Sequence, residues 1–293
     1  RLEKDFAKAQ ELLLTAFKIN PRNSNTAYNF SLLYRDLGKI EEALISLNKA
    51  IKIMPNNYIY KLLKADLFKD LGNFNESTSI LLNLTSDRNI NDKKDILLML
   101  STVKRLDKNF NEAEKILLET IKQYPHFNQA YLNLSDLYFE NKESIKAKEI
   151  ALRGLKVNPR SAEILSNLGF ICRNLGKINE AKQYLLKALS INKKLFNTYA
   201  NLSTFYDFSD NPKELEYLMN VPLEGLNQED IIRIYYSRAN VYHIQKKFSD
   251  SLRNYKLAND CKNRIYPSNK KFLIEKSIKI KEKFFNEKET LKK

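Results

Sequence analysis

Four asparagines stand in one phase of the chain. Asn133, Asn167 and Asn201 follow one another at steps of 34 residues, and Asn29 keeps the same phase once a two-residue insertion is allowed for. Leu63 and Met99 occupy that phase in between, so the row is interrupted. A carboxamide both donates and accepts, and can pair with the peptide unit of an extended chain whatever its side chains. A second set, Arg35, Lys69, Arg105 and Arg173, runs in a later phase, with Phe139 in the skipped place. Cations beside amides suit an extended, acidic peptide. Nucleic acid is the lesser reading of the same charges, because the set is discontinuous and carries no interleaved aromatic platform for bases.

Other chemistry is poorly served. Cradling a phosphate with backbone N–H groups requires clustered glycines. Of six glycines, Gly38, Gly72 and Gly176 fall in expected turns, Gly154 and Gly169 in expected helix contacts, and Gly225 stands alone. His126 and His243 have no Cys or His at metal-ligand spacing, and Cys172 sits in an apolar phase while Cys261 ends a helical pattern. Glu41, Glu42 and Glu180 open helical segments, where the helix N-terminus favours them without catalysis. The residues describe no enzyme, metal or cofactor site.

The elements that would position the two rows follow from a proline ruler. Pro21 to Pro55 and Pro125 to Pro159 are each 34 residues, and stepping back from each aligns YNFSLLYRDLGKIEEALISLNKAI with YLNLSDLYFENKESIKAKEIALRGL and LSNLGFICRNLGKINEAKQYLLKAL. A fixed period of this length marks stacked supersecondary units. Apolar residues at i, i+3, i+4 and i+7 give two amphipathic helices per unit, and proline follows the second.

These units resemble the tetratricopeptide repeat family, over residues 1 to about 263. Small residues occupy the family's helix-crossing places as Ser31, Ala43 and Ala50, and again as Gly169, Ala181 and Ala188, with Tyr34, Tyr138 and Tyr206 in its eleventh place. The resemblance implies an all-α solenoid, a right-handed superhelix of antiparallel helix pairs, whose first helices line a concave surface. The asparagines fall in the sixth place of those first helices and resemble the asparagine ladder in the repeats of O-linked N-acetylglucosamine transferases. The implied function is a protein–protein interaction scaffold holding an extended peptide.

Residues 1–22 read as an incomplete first repeat, its second helix only, and the chain reads as a piece of a longer one. Residues 23–208 read as the array, with a worn unit near Tyr58, and 209–263 as a divergent terminal pair. Residues 264–293 read as a basic capping or linking helix. Ala239, Phe248, Tyr255, Ala258 and Asn259 are similar to the end of the repeat array in bacterial tetratricopeptide-repeat sulfotransferases. That resemblance implies a substrate-presenting region, with a catalytic domain using 3′-phosphoadenylyl sulfate beyond Lys293.

The 293 residues are 43% hydrophobic and 29% charged, with two Cys. Such a chain is neither disordered nor disulfide-stapled, and no apolar run is long enough to span a bilayer. Cytoplasmic placement is the expectation. The net charge is +15, and residues 262–293 carry eleven Lys or Arg against four Glu. An acidic partner is therefore expected.

Overall fold

The computed structural model describes residues 2–265, with side chains from Phe6 onward. The expected helix over 264–293 lies outside the described residues, apart from the last two residues of the final helix. The described chain is helical throughout. In order it runs α1 (Leu2–Ile19), α2 (Ser24–Asp36), α3 (Ile40–Ile53), α4 (Tyr58–Asp70), α5 (Phe74–Ser86), α6 (Lys94–Leu106), α7 (Phe110–Gln123), α8 (Asn128–Glu140), α9 (Ser144–Val157), α10 (Ala162–Asn174), α11 (Ile178–Ile191), α12 (Phe196–Leu202), α13 (Pro212–Asn220), α14 (Gln228–Ile244) and α15 (Phe248–Ile265). It divides into two compact units, residues 1–176 and 177–293.

In the first unit each boundary has a local cause. Asn23, Asn57 and Ser161 cap α2, α4 and α10 by accepting backbone N–H bonds, which satisfies donors that a helix start leaves open. Glu41, Glu42, Glu76 and Glu112 stand in the first turns of second helices, where the helix dipole favours negative charge. The tight turn between the paired helices needs one left-handed residue. Gly38 and Gly72 supply it, and Lys108 and Lys142 take the same place with φ of 61° and 64°. The absence of glycine there therefore does not end the repeat.

Small residues let the paired helices touch. Ala43, Ala65, Ala113 and Ala147 are fully buried at the crossings. A Cβ built on Gly154 would come within 2.9 Å of Tyr131, so that glycine is a packing requirement. Several crossings carry serine for a second reason. Ser77 Oγ donates to the Ala65 carbonyl at 2.7 Å, and Ser135 Oγ to the Ala147 carbonyl at 2.9 Å, each tying one helix to its partner. The worn repeat keeps its core, since Leu63, Leu67, Leu81 and Leu84 are all buried.

In the second unit α12 is cut short. The chain leaves it through Phe208, which is fully buried at φ 62°. Its ring packs on Tyr199 and Tyr206 at centroid distances of 5.9 and 5.0 Å. Pro212 then starts α13, where its missing N–H costs nothing. Arg238 of α14 secures the following loop: Nε donates to the Leu218 carbonyl at 2.8 Å and Nη2 to that of Val221 at 3.3 Å. The α14–α15 hairpin repeats the serine tie, Ser251 Oγ to the Ala239 carbonyl at 2.9 Å.

Candidate functional site

The first helices of unit one, α2, α4, α6, α8 and α10, carry the two rows expected from sequence except for Asn201, which is on α12. Side-chain bonds at a recurring step of 31 residues link α2 to α4, α6 to α8 and α8 to α10. Arg35 Nη1 donates to Asp66 at 3.2 Å, Asn133 Nδ2 reaches Thr102 Oγ1 at 3.5 Å, and Asn167 Nδ2 donates to Asp136 at 2.8 Å. All three partners, Asp66, Thr102 and Asp136, occupy the ninth place of their repeats. That place was not singled out by the sequence reading. Its signal was legible as a polar residue 31 positions from Arg35, Asn133 and Asn167.

The asparagines differ in what they have left to offer. Asn29 is exposed. Asn133 also accepts from Gln129 at 2.9 Å. Asn167 donates to Asp136, and its Oδ1 lies 2.9 Å from Ser135 Oγ, whose one hydrogen it shares with the Ala147 carbonyl. A carboxamide has two donor hydrogens and two acceptor lone pairs. Asn167 therefore retains one of each after its internal bonds, in a fixed orientation. Asn201 lies half-buried on α12 in the second unit.

The cations do not form a bare positive stripe. Arg35 is bonded to Asp66, with Asp36 at 3.7 Å. Lys69 is bonded to Asp66 with Asp70 at 3.4 Å, and Arg105 is paired with Glu140 at 2.6 Å. Burial pulls the Lys69 ammonium down, but its bonds and charge contacts to Asp66 and Asp70 outweigh this, and its pKa is raised. Asp136 is pushed upward chiefly by desolvation, against the Asn167 bond and the Arg105 charge. Arg173 stacks its guanidinium 5.5 Å from the Phe170 ring centre, and burial lowers its pKa. This face thus interleaves cations with carboxylates, and its local dielectric is low enough to shift several of them.

The described residues contain no group of three or more His, Cys, Asp or Glu arranged to hold a metal ion. Cys172 is buried and Cys261 partly so. No helix among the described residues is long and apolar enough to cross a membrane. The residues that resemble a sulfotransferase array serve the α14–α15 hairpin. Ala239 and Ala258 are its buried crossing, Tyr255 donates to Asn240 at 2.6 Å, and Asn259 accepts from Tyr236 at 2.7 Å.

Comparison with known proteins agrees with the repeat. A tetratricopeptide repeat profile matches residues 24–57, 129–161 and 162–195. The human protein O-mannosyl-transferase TMTC3 is 26% identical over 232 residues, which is 76% of this chain and 23% of that protein. The TPR repeat-containing protein YvcD of Bacillus subtilis strain 168 is 25% identical over 195 residues, or 57% of this chain and 40% of its own length. The chain thus spans under half of either relative. Two crystal structures share the fold. PilW, a widely conserved type IV pilus biogenesis factor, aligns with TM-score 0.53 at 19% identity, covering 66% of this chain and 88% of its own. A tetratricopeptide repeat protein of Parabacteroides merdae aligns with TM-score 0.52 at 16% identity, covering 86% and 96%.

Proposed function

From the premise that the chain is built of tetratricopeptide repeats, the fold of protein-interaction scaffolds, we propose that the first-helix face of unit one holds an extended peptide. The observation that supports this is the 31-residue wiring of that face. It fixes Asn133 and Asn167 in one orientation with donor and acceptor valence to spare. Preorganised amides lose little side-chain entropy on binding, which is where much of the cost of peptide recognition lies. The peptide backbone is the recognised element, and side chains tune the fit.

The acidic preference expected from sequence takes a specific form in this reading. A glutamate on the peptide gains a cation only by displacing a built-in carboxylate, such as Glu140 on Arg105. One ion pair is exchanged for another, so the preference is small. Removing the internal competitor enlarges it.

Titration calorimetry with short Glu-containing and Ser-containing peptides tests both parts. Asn133→Ala with Asn167→Ala should weaken both peptides by about tenfold or more, the loss of one or two hydrogen bonds. Glu140→Gln should strengthen the Glu-containing peptide selectively. Equal affinity of the double asparagine variant and the parent, with unchanged circular dichroism, overturns the amide reading.

A further inference from the structure

The loops that join one repeat to the next form an edge at the starts of the first helices, and its first two members differ from the rest. Residues 20–23 join α1 to α2, and residues 54–57 join α3 to α4. They are held side by side: Ser24 Oγ donates to Met54 Sδ at 3.1 Å, and the Tyr60 hydroxyl reaches Ser24 Oγ at 3.1 Å and Asn25 Oδ1 at 2.8 Å.

This paired edge presents apolar side chains to solvent. Ile19 is 80% exposed, and Ile53, Met54, Tyr58 and Ile59 are each between 41% and 48% exposed. The later loops of the same unit show no such display: Ile90 is buried, and Tyr124 and Phe127 are half-buried.

The same edge is positively charged without compensation. Lys18, Arg22, Lys49, Lys52 and Lys61 lie in the two flanking stretches, and no Asp or Glu occurs between Leu12 and Arg35 or between Ala43 and Ala65. None of the five makes an ion pair among the described residues. On the wired face Arg35, Lys69 and Arg105 are paired with carboxylates, and the next loop along balances Arg88, Lys93 and Lys94 with Asp87, Asp92 and Asp95. Helix-end preference accounts for lysine in the last turns of α1 and α3. It does not account for Arg22 in the loop, Lys61 in the first turn of α4, or the apolar tips between them.

We propose that this edge docks on an anionic lipid surface, with Ile19, Ile53 and Met54 entering the interfacial zone and the five cations facing headgroups. Exposed aliphatic side chains ringed by basic residues combine the two attractions that hold a protein on such a surface, burial of apolar area and charge. A protein partner is the competing occupant. Lysine is depleted in protein interfaces, where arginine is enriched, and four of the five cations here are lysine. This surface is separate from the peptide face, and the two can act together.

Vesicle flotation of the full chain tests the proposal, using phosphatidylcholine alone and phosphatidylcholine with about one-third phosphatidylglycerol. The full chain should float with the anionic vesicles and not the neutral ones. Arg22→Gln, Lys49→Gln and Lys52→Gln together should weaken binding about 100-fold at moderate salt, given the usual contribution of each cation near such a surface. Ile19→Ser, Ile53→Ser and Met54→Ser should remove the binding that survives high salt. The control removes equal charge elsewhere, by Lys39→Gln, Lys115→Gln and Lys146→Gln, and should stay within about threefold of the parent. Failure of the full chain to bind anionic vesicles overturns the proposal. So does an equal loss in the control, which reports net charge alone, or no loss in the edge variants, which places the contact elsewhere. Indifference to vesicles with edge-dependent binding of polyglutamate also overturns it, and assigns the edge to an acidic protein.

Discussion

Tyr138 on α8 and Tyr206 after α12 occupy the same place in their repeats, and each has a charged residue from the preceding second helix against it. At Tyr138 that residue is Glu114, which accepts the hydroxyl proton at 2.5 Å, while Lys146 lies 5.5 Å from the ring centre. At Tyr206 it is Lys182, 4.0 Å from the ring centre and bonded at 2.9 Å to Asp210, which accepts from the tyrosine hydroxyl. The slot is kept while the signs of its partners are exchanged. Two residues further on, the repeats part. Glu140 is half-exposed and reaches Arg105, whereas Phe208 is buried in a left-handed turn. A full-length first helix leaves its last turn on the surface and available to a neighbouring repeat. A truncated one folds that residue inward, and an aromatic core with Tyr199 and Tyr217 replaces the polar link.

The largest way to break this comparison is to empty the two places. Phe208→Ala should cost about 3–5 kcal/mol, the range for an aromatic removed from a full core. Glu140→Ala should cost under about 1 kcal/mol, as for a partly exposed ion pair. Thermal melts followed by circular dichroism give both, and similar values would show that the truncated repeat has no independent core.

Next in size is the crossing. Ala147→Leu should overpack the α8–α9 contact and cost about 1–3 kcal/mol, while Lys39→Leu at an exposed turn should change stability by under about 0.5 kcal/mol. The corresponding place in the truncated repeat is Leu215, already large and half-buried, so no small-residue requirement holds there.

The two tyrosine slots should differ in pH response. Burial, and then the Glu114 bond, push the Tyr138 hydroxyl from 10.0 up to about 12. Because the folded pKa is raised, its contribution is complete below pH 10 and is lost as pH rises towards about 12. Tyr138→Phe should flatten that alkaline fall in melting temperature. Asp210 behaves oppositely. The Tyr206 hydroxyl first, and then Lys182, hold its carboxyl well below the ordinary 3.8. Its contribution is present above that pH and is lost as pH falls below it. Asp210→Asn should flatten the acid side, with a smaller change on the alkaline side because Asp210 also helps to raise Tyr206 and Lys182. An exchange of these signatures would overturn the partner assignment.

The smallest effect sharpens the serine tie. Ser135→Ala removes a donor to the Ala147 carbonyl and should cost about 1 kcal/mol. Ser31 occupies the same place in the α2–α3 repeat, but its buried hydroxyl has no partner. Ser31→Ala should therefore be neutral or slightly stabilising in the same melts.

Much of the repeat was readable because its causes are local and periodic. The proline ruler, the alanines at crossings and the turns at Gly38 and Gly72 each follow from backbone geometry or from the space at one contact. Both rows of the candidate face were also readable as residue types at an interval. What they bond to was not, since Asp66, Thr102 and Asp136 become partners only when successive first helices lie side by side. Lys108 and Lys142 were hidden for another reason. A left-handed turn favours glycine but does not require it, so residue type understates the conformation.

The sequence by itself determined that the described chain is helical hairpins in series, where they turn, and which residues share a phase. Those properties are set within about one turn of helix or one small-residue contact. The tertiary structure alone decided that Arg35, Lys69 and Arg105 of the first-helix face are already paired, that Phe208 turns inward, and that the first two inter-repeat loops lie together as an unpaired basic and apolar edge. The Arg35–Asp66 pair and the Ser24–Met54 contact depend on distances between residues 30 or more positions apart, and no interval in the sequence fixes those distances.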